Sequence, residues 1–160
     1  MAVYGVTEGR EELNDEFYET LQQILDNVNK KDYIMLIGDM NDRVRNNRVA
    51  NIVGTNGEDS LNRKGRKLID FCTFNNLKIM NIFFKNKEIR KCSCEAATGH
   101  KSVIDCFLTS VKTSKVIQDI TVYRSNEIDS DLYLSCAKIH FPPQWLNKGN
   151  KKPIKAGRIF

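Results

Sequence analysis

Apolar residues recur at helical spacing in two stretches of the chain. In residues 11–28, Leu13, Phe17, Leu21, Ile24, Leu25 and Val28 fall on one stripe of a 3.6-residue helix. Acidic residues crowd the start of that segment, where the positive end of the helix dipole favours them. Residues 62–75 repeat the pattern through Leu68, Ile69 and Cys72 and predict a second amphipathic helix. The other apolar stretches are short. "AVYGV" predicts a strand at the start of the chain, and "DYIMLIG", too short for a helix after "NKK", predicts a buried one. "LKIMNIFF", "KSVIDCFLTS", "VIQDITVYR" and "LYLSCAKIHF" predict further strands, with "DYIMLIG", "SVIDCFL" and "LYLSCAKI" central. Residues 40–60 are rich in Asn, Arg, Gly and Asp without periodicity and predict a long loop, a common place for function. Pro142 and Pro143 stop regular structure. The alternation is α/β and ends in β.

Composition narrows the class. With 160 residues, 41% hydrophobic and 28% charged, the chain suits one globular domain with a real core. No apolar run approaches the ~20 residues of a membrane span, and no signal peptide precedes Val3. Five cysteines (Cys72, Cys92, Cys94, Cys106, Cys136) are an odd set, read as reduced thiols of an intracellular protein. The C-x-C-x₅-H-x₅-C spacing of Cys92, Cys94, His100 and Cys106 is not a familiar zinc pattern. The net charge of +5 is a property of the tail. Residues 144–160 carry Lys148, Lys151, Lys152, Lys155 and Arg158 with no acid, and the rest of the chain is balanced. The expected division is a domain over 1–143 and a basic, mobile tail over 144–160, which either meets a polyanion or is simply solvated.

"LIGDMND" ends an apolar run on Asp39 and Asn41, and Asp105 and Asp131 also sit where apolar runs meet polar residues. Carboxylates at strand ends can converge on one sheet edge and hold Mg²⁺ through oxygen ligands, polarising a phosphate and acidifying a bound water. Turns are also naturally rich in Asp and Asn, so spacing alone leaves a plain surface turn open. If the carboxylates converge, their mutual repulsion raises at least one pKa unless a cation intervenes. Arg43, Arg45 and Arg48 in the long loop are candidates for DNA phosphates or for plain solvation. His140 reads as a structural or surface histidine.

Four motifs then occur in the order of one family: "VYGVT" at 3–7, "GDMN" at 38–41, "VIDCFLTS" at 103–110 and "SDLYL" at 130–134. They resemble the Val-Tyr-Ala-Pro-Thr, Gly-Asp-Phe-Asn, Ile-Asp-Tyr and Ser-Asp-His motifs of the endonuclease/exonuclease/phosphatase superfamily. Within it, the chain looks like the endonuclease domain of non-LTR retrotransposons and the craniofacial development protein 2-like proteins derived from them. The resemblance runs over about residues 2–140. It implies the C-terminal part of a four-layer sandwich, two mixed β-sheets flanked by helices, with the site at the sheet edges. It also implies Mg²⁺-dependent hydrolysis of DNA phosphodiesters, and the nucleus as the compartment. Carried over residue by residue, Tyr4 supports the phosphate site and Asp39 orients or deprotonates the attacking water. Asn41 holds the scissile phosphate, Asp105 orients the catalytic histidine, and Asp131 lies near the metal. Arg43, Arg45, Lys151 and Lys152 are the expected DNA contacts.

The departures are as specific as the matches. Leu132 stands where the catalytic histidine belongs, and Tyr133 where these elements often carry a second one. Leucine neither donates a hydrogen bond nor moves a proton. The family's early asparagine and metal-binding glutamate have no counterpart here, so a fragment or decayed copy with an incomplete first sheet is expected. Gly5 and Val6 replace Ala-Pro, Cys94 sits where a tryptophan is usual, and "NRKG" at 62–65 departs from Asn-x-Asn-Gly at Lys64. The expectation is an inactive copy of a DNA endonuclease domain; the alternative is a nucleic-acid or protein binding module.

Overall fold

The computed structural model describes residues 1–7, 9–29, 31–45, 49, 51–58, 60–95, 101–124 and 133–141. The run "MLIGD" forms strand β2 (Met35–Asp39), flanked in a four-stranded sheet by β1 (Ala2–Tyr4), β6 (Asp105–Ser110) and β3 (Leu77–Ile79) in the order β1-β2-β6-β3. Strand β1 runs parallel to β2, whereas β6 is antiparallel to both β2 and β3. A parallel pair needs a crossover, and helix α1 (Glu11–Asp26) provides it. Helix α2 (Arg63–Phe74) follows the long loop. Both helices match the periodic stretches to within two residues.

Side chains alternate across a strand, so each face of this sheet has its own partners. Val3, Leu36, Cys106 and Leu108 point to one face and pack with Phe17, Tyr18 and Leu21 of α1 and Leu68, Phe71 and Cys72 of α2. Leu21, Leu68 and Leu108 are fully buried there. On the opposite face, Phe107 joins Met80, Ile117 and Ile120 in a smaller core, with Met35 and Ile37 partly buried against it. Ile117 and Ile120 belong to β7 (Ile117–Tyr123), which pairs with β8 (Leu134–Ile139) in a two-stranded antiparallel sheet. The order is therefore helices, mixed sheet, second sheet.

Three expectations need correction. "LYLSCAKI" is not a central strand: among the described residues β8 pairs only with β7, and Leu134 and Lys138 on it are exposed. "LKIMNIFF" is a strand only over Leu77–Ile79 and continues as a 3₁₀ turn over Met80–Phe83. The cause is Asn81, whose amide nitrogen donates to the Asp105 carbonyl (2.9 Å) while its amide oxygen accepts from the Phe107 N–H (2.7 Å). A side chain thus takes over the ladder beside β6, and the backbone is released to turn. "KSVIDCFLTS" divides into β5 (Lys101–Ser102), which pairs with β4 (Cys94–Glu95), and β6. Between them the N–H groups of Val103 and Ile104 go to side chains, Glu58 Oε1 at 2.6 Å and Ser93 Oγ at 3.1 Å.

The described residues of the aperiodic stretch 40–60 form a loop with a packed interior. Met40, Val44, Ile52 and Val53 are buried in the helix-side core, and the Ile52 carbonyl accepts from the Ile79 N–H. None of the five cysteines forms a disulfide. Among the described residues no helix is long and apolar enough to cross a membrane.

Candidate functional site

Register brings three of the sequence candidates into one row. Tyr4 is the strand partner of Asp39, and Asp39 is the partner of Asp105. Partners on a pleated sheet share a face, so the three side chains start from one edge of the sheet, on the side of β7 and β8. Tyr4 is exposed, Asp39 buried and Asp105 half-buried. Beyond Asp39 the chain reverses. Asp39 Oδ1 accepts from the Asn41 N–H (2.7 Å), and Asn41 adopts the left-handed region at φ +53°, which asparagine tolerates better than most residues. The Asn41 amide nitrogen donates to the Gly5 carbonyl (3.2 Å), and the Gly5 N–H to the Asp39 carbonyl (2.6 Å). The turn and the candidate site are the same object: "GDMN" links the exits of β1 and β2.

Asp105 has acquired a partner that sequence reasoning missed. Its Oδ2 accepts from the Ser135 hydroxyl at 2.9 Å, and its own N–H donates to Ser93 Oγ at 3.1 Å. Burial pushes its carboxyl above the ordinary range, and the hydrogen bonds from Ser135 and Ser93 pull it partly back. The cause is desolvation rather than repulsion from a neighbouring carboxylate. Ser135, a polar residue inside the apolar run "LYLSCAKI", is the signal that could have found this contact. Tyr133, the residue after Leu132, donates its hydroxyl to Glu95 Oε2 (3.1 Å) and stacks under Arg124.

No protein family model matches the chain. Craniofacial development protein 2 of Tragulus javanicus is 32% identical over 123 residues, 76% of this chain and 21% of that protein. The chain thus spans about a fifth of the length of the curated relatives it matches. Among solved structures, the endonuclease domain of TRAS1, a telomere-specific non-LTR retrotransposon, superposes with a TM-score of 0.57 at 14% identity, over 78% of this chain and 49% of that one. The 3′-5′ exonuclease NExo of Neisseria meningitidis superposes with a TM-score of 0.65 at 15% identity, over 88% of this chain and 60% of that one. The chain thus has the fold of these nuclease structures and is similar in sequence to craniofacial development protein 2 over three quarters of its length.

Directly behind its "GDMN" turn the chain carries a charged group buried in the helix-side core. Asp42 is only 1% exposed. Its Oδ2 accepts from the Tyr18 hydroxyl of α1 (2.8 Å), and its Oδ1 lies 3.5 Å from the Lys64 ammonium of α2. Burial raises the Asp42 carboxyl to about 6 although Tyr18 and Lys64 both pull it down. Burial and the facing carboxylate push the Tyr18 phenol far above its usual range. Beside this group a cavity of about 180 Å³ opens between the first turns of α1 and α2, lined by Arg10, Asn14, Arg63, Lys64 and Lys67 among others. Arg63 pairs with Glu11 and Lys67 with Asp15, and Arg10 makes no ion pair among the described residues. These cations flank the strand exits, and sequence reasoning passed over them because they sit in amphipathic helix starts.

Of the other candidates, Arg43 ties the loop to α2 through its backbone, its N–H donating to Asn62 Oδ1 (3.2 Å), while Arg45 is exposed and its backbone forms an isolated parallel β-bridge with that of Glu58. Asp131, Leu132, Lys151, Lys152, Arg48 and His100 lie outside the described residues. The donor set does not make a closed metal site: among the described residues no three His, Cys, Asp or Glu side chains gather to hold an ion. Asp39 and Asp105 are adjacent, but one oxygen of each is already engaged, by Asn41 and by Ser135.

Proposed function

We propose that this chain is a catalytically silent nuclease-fold domain, descended from the DNA endonuclease of a retrotransposon, that still contacts a nucleic-acid backbone. The observation that carries the first half is at Asp105. The resemblance assigns it to orient a histidine, yet Leu132 occupies that position and the carboxylate accepts a hydrogen bond from Ser135. A serine hydroxyl is a poor proton shuttle at neutral pH, and acid–base groups typically supply about 10²–10⁴-fold of rate. Asp39 keeps its place in the turn with Asn41, but the imidazole that would complete the proton transfer is replaced by leucine. Mg²⁺ belongs to the ancestral activity.

The second half is supported by the basic residues lining the cavity beside the strand exits, Arg10, Arg63 and Lys67, together with the exposed Arg45 and the basic residues of 144–160. Backbone contact of this kind is electrostatic and weakens with salt. Among the structural neighbours, one NExo structure is bound to a product DNA hairpin. A DNA partner would make the nucleus the working compartment. The test is fluorescence anisotropy with a short duplex over a range of salt. Expected is binding at low salt that weakens steeply on going to higher salt. Arg10→Ala and the pair Lys151→Ala/Lys152→Ala should each flatten the salt slope, by about 0.9 for every phosphate that is no longer neutralised. Salt-independent binding, or none at low salt, would contradict this reading.

A further inference from the structure

The residue at which "NRKG" departs from the family pattern is also the one whose side chain does most at the site turn. Lys64 reaches from the first turn of α2, with a side chain only 12% exposed, and its ammonium meets four oxygens. It donates to the Val6 carbonyl, lies 3.5 Å from the Met40 carbonyl and 3.4 Å from the Asn41 carbonyl, and is 3.5 Å from Asp42 Oδ1. Val6 follows β1, and Met40 to Asn41 follow β2. The oxygens therefore come from both strand exits and converge on one point.

From this geometry we infer that Lys64 is a positioning residue, a tethered cation that holds the Asp39–Asn41 turn against the exit of β1. Three carbonyl dipoles and a carboxylate pointing at one place repel each other unless positive charge fills it. Ordinarily water or an ion would do so; here an ammonium does, carried on a chain anchored in α2. Asp42 Oδ1 receives no hydrogen bond, so the ammonium is its counter-charge. Tyr18 fixes the other oxygen and ties the carboxylate to α1. The turn holds a residue in the left-handed region, so its local preferences alone would let it relax. An asparagine, usual at this position in the resembled family, is too short to reach both exits. Asp42 and Lys64 thus act as one unit.

Hydrogen exchange reads the turn directly and without nucleic acid, so its result stands apart from whether the chain binds DNA. Two reporter amides lie in the turn, Gly5 (to Asp39 O) and Asn41 (to Asp39 Oδ1), and two lie far from it, His140 (to Val116 O) and Ile79 (to Ile52 O). In Lys64→Met, of similar length without charge, the turn amides should exchange about tenfold faster or more, with the far amides nearly unchanged. The Lys64→Met/Asp42→Asn variant separates ordering of the turn from mere neutralisation of Asp42. It should be more stable than Lys64→Met alone, because no buried carboxylate is left unpaired, yet its turn amides should stay fast. Native-like protection of the turn in either variant would overturn the inference. So would equal acceleration of all four amides, or failure of the double variant to fold, since either makes Lys64 a residue of the global fold.

Discussion

Gly38→Ala is expected to destabilise the chain by about 3 kcal/mol or more, at the upper end of overpacking effects. A Cβ at Gly38 would run into the backbone carbonyl of Val3 on the neighbouring strand. The obstacle is backbone and cannot rotate aside. Nor can β1 withdraw cheaply. Its pairing with β2 is held on either side by the Ile37 N–H donating to Met1 O (2.9 Å) and the Gly5 N–H donating to Asp39 O (2.6 Å). Val3 is also buried in the helix-side core. Urea unfolding checks this: the midpoint should fall sharply with little change in slope. A loss below about 1 kcal/mol would show that β1 does not press on β2 as described.

The second large effect is a dependence of stability on pH that belongs to Asp42. Its carboxyl is raised from the ordinary 3.8 to about 6 in the folded chain. The folded state therefore holds this proton more tightly than the unfolded state. That contribution to stability is fully present below about pH 4 and is lost as the pH rises through about 6. A shift of this size corresponds to about 3 kcal/mol. Asp42→Asn keeps an acceptor for Tyr18 and removes the titration. Tyr18, pushed far above its usual range, stays protonated here and adds no slope, and the raised Asp105 is common to both proteins. The stability of the native chain relative to Asp42→Asn should thus decline by on the order of 3 kcal/mol between pH 4 and pH 7. Parallel pH profiles for the two proteins would place Asp42 in a far more polar setting.

What the sequence made legible was whatever leaves a periodic trace. Phe17 and Leu21 announced α1, and Leu68 and Cys72 announced α2, because burial of a helix face repeats every three to four residues. The adjacency of Tyr4, Asp39 and Asp105 followed from motif order and strand ends, and strand register placed them side by side. The misses share one cause. Asn81 replacing a strand's backbone, Ser135 taking the Asp105 carboxylate, and Lys64 filling a ring of oxygens are side-chain bonds across 23 to 58 residues of chain. No window of sequence carries a period for such contacts. Asp42 was visible in "LIGDMND", but only the approach of α1 and α2 from outside the motif turns it from a surface acid into a buried one.

The most direct test of catalytic silence is nicking of supercoiled plasmid by the purified chain in the presence of Mg²⁺. Expected is no nicking above the buffer control, and none after Leu132→His alone, because the Asp105 carboxylate remains with Ser135. Robust nicking by the unaltered chain, abolished by Asp39→Ala, would contradict this and make the row of Tyr4, Asp39 and Asp105 a working active site.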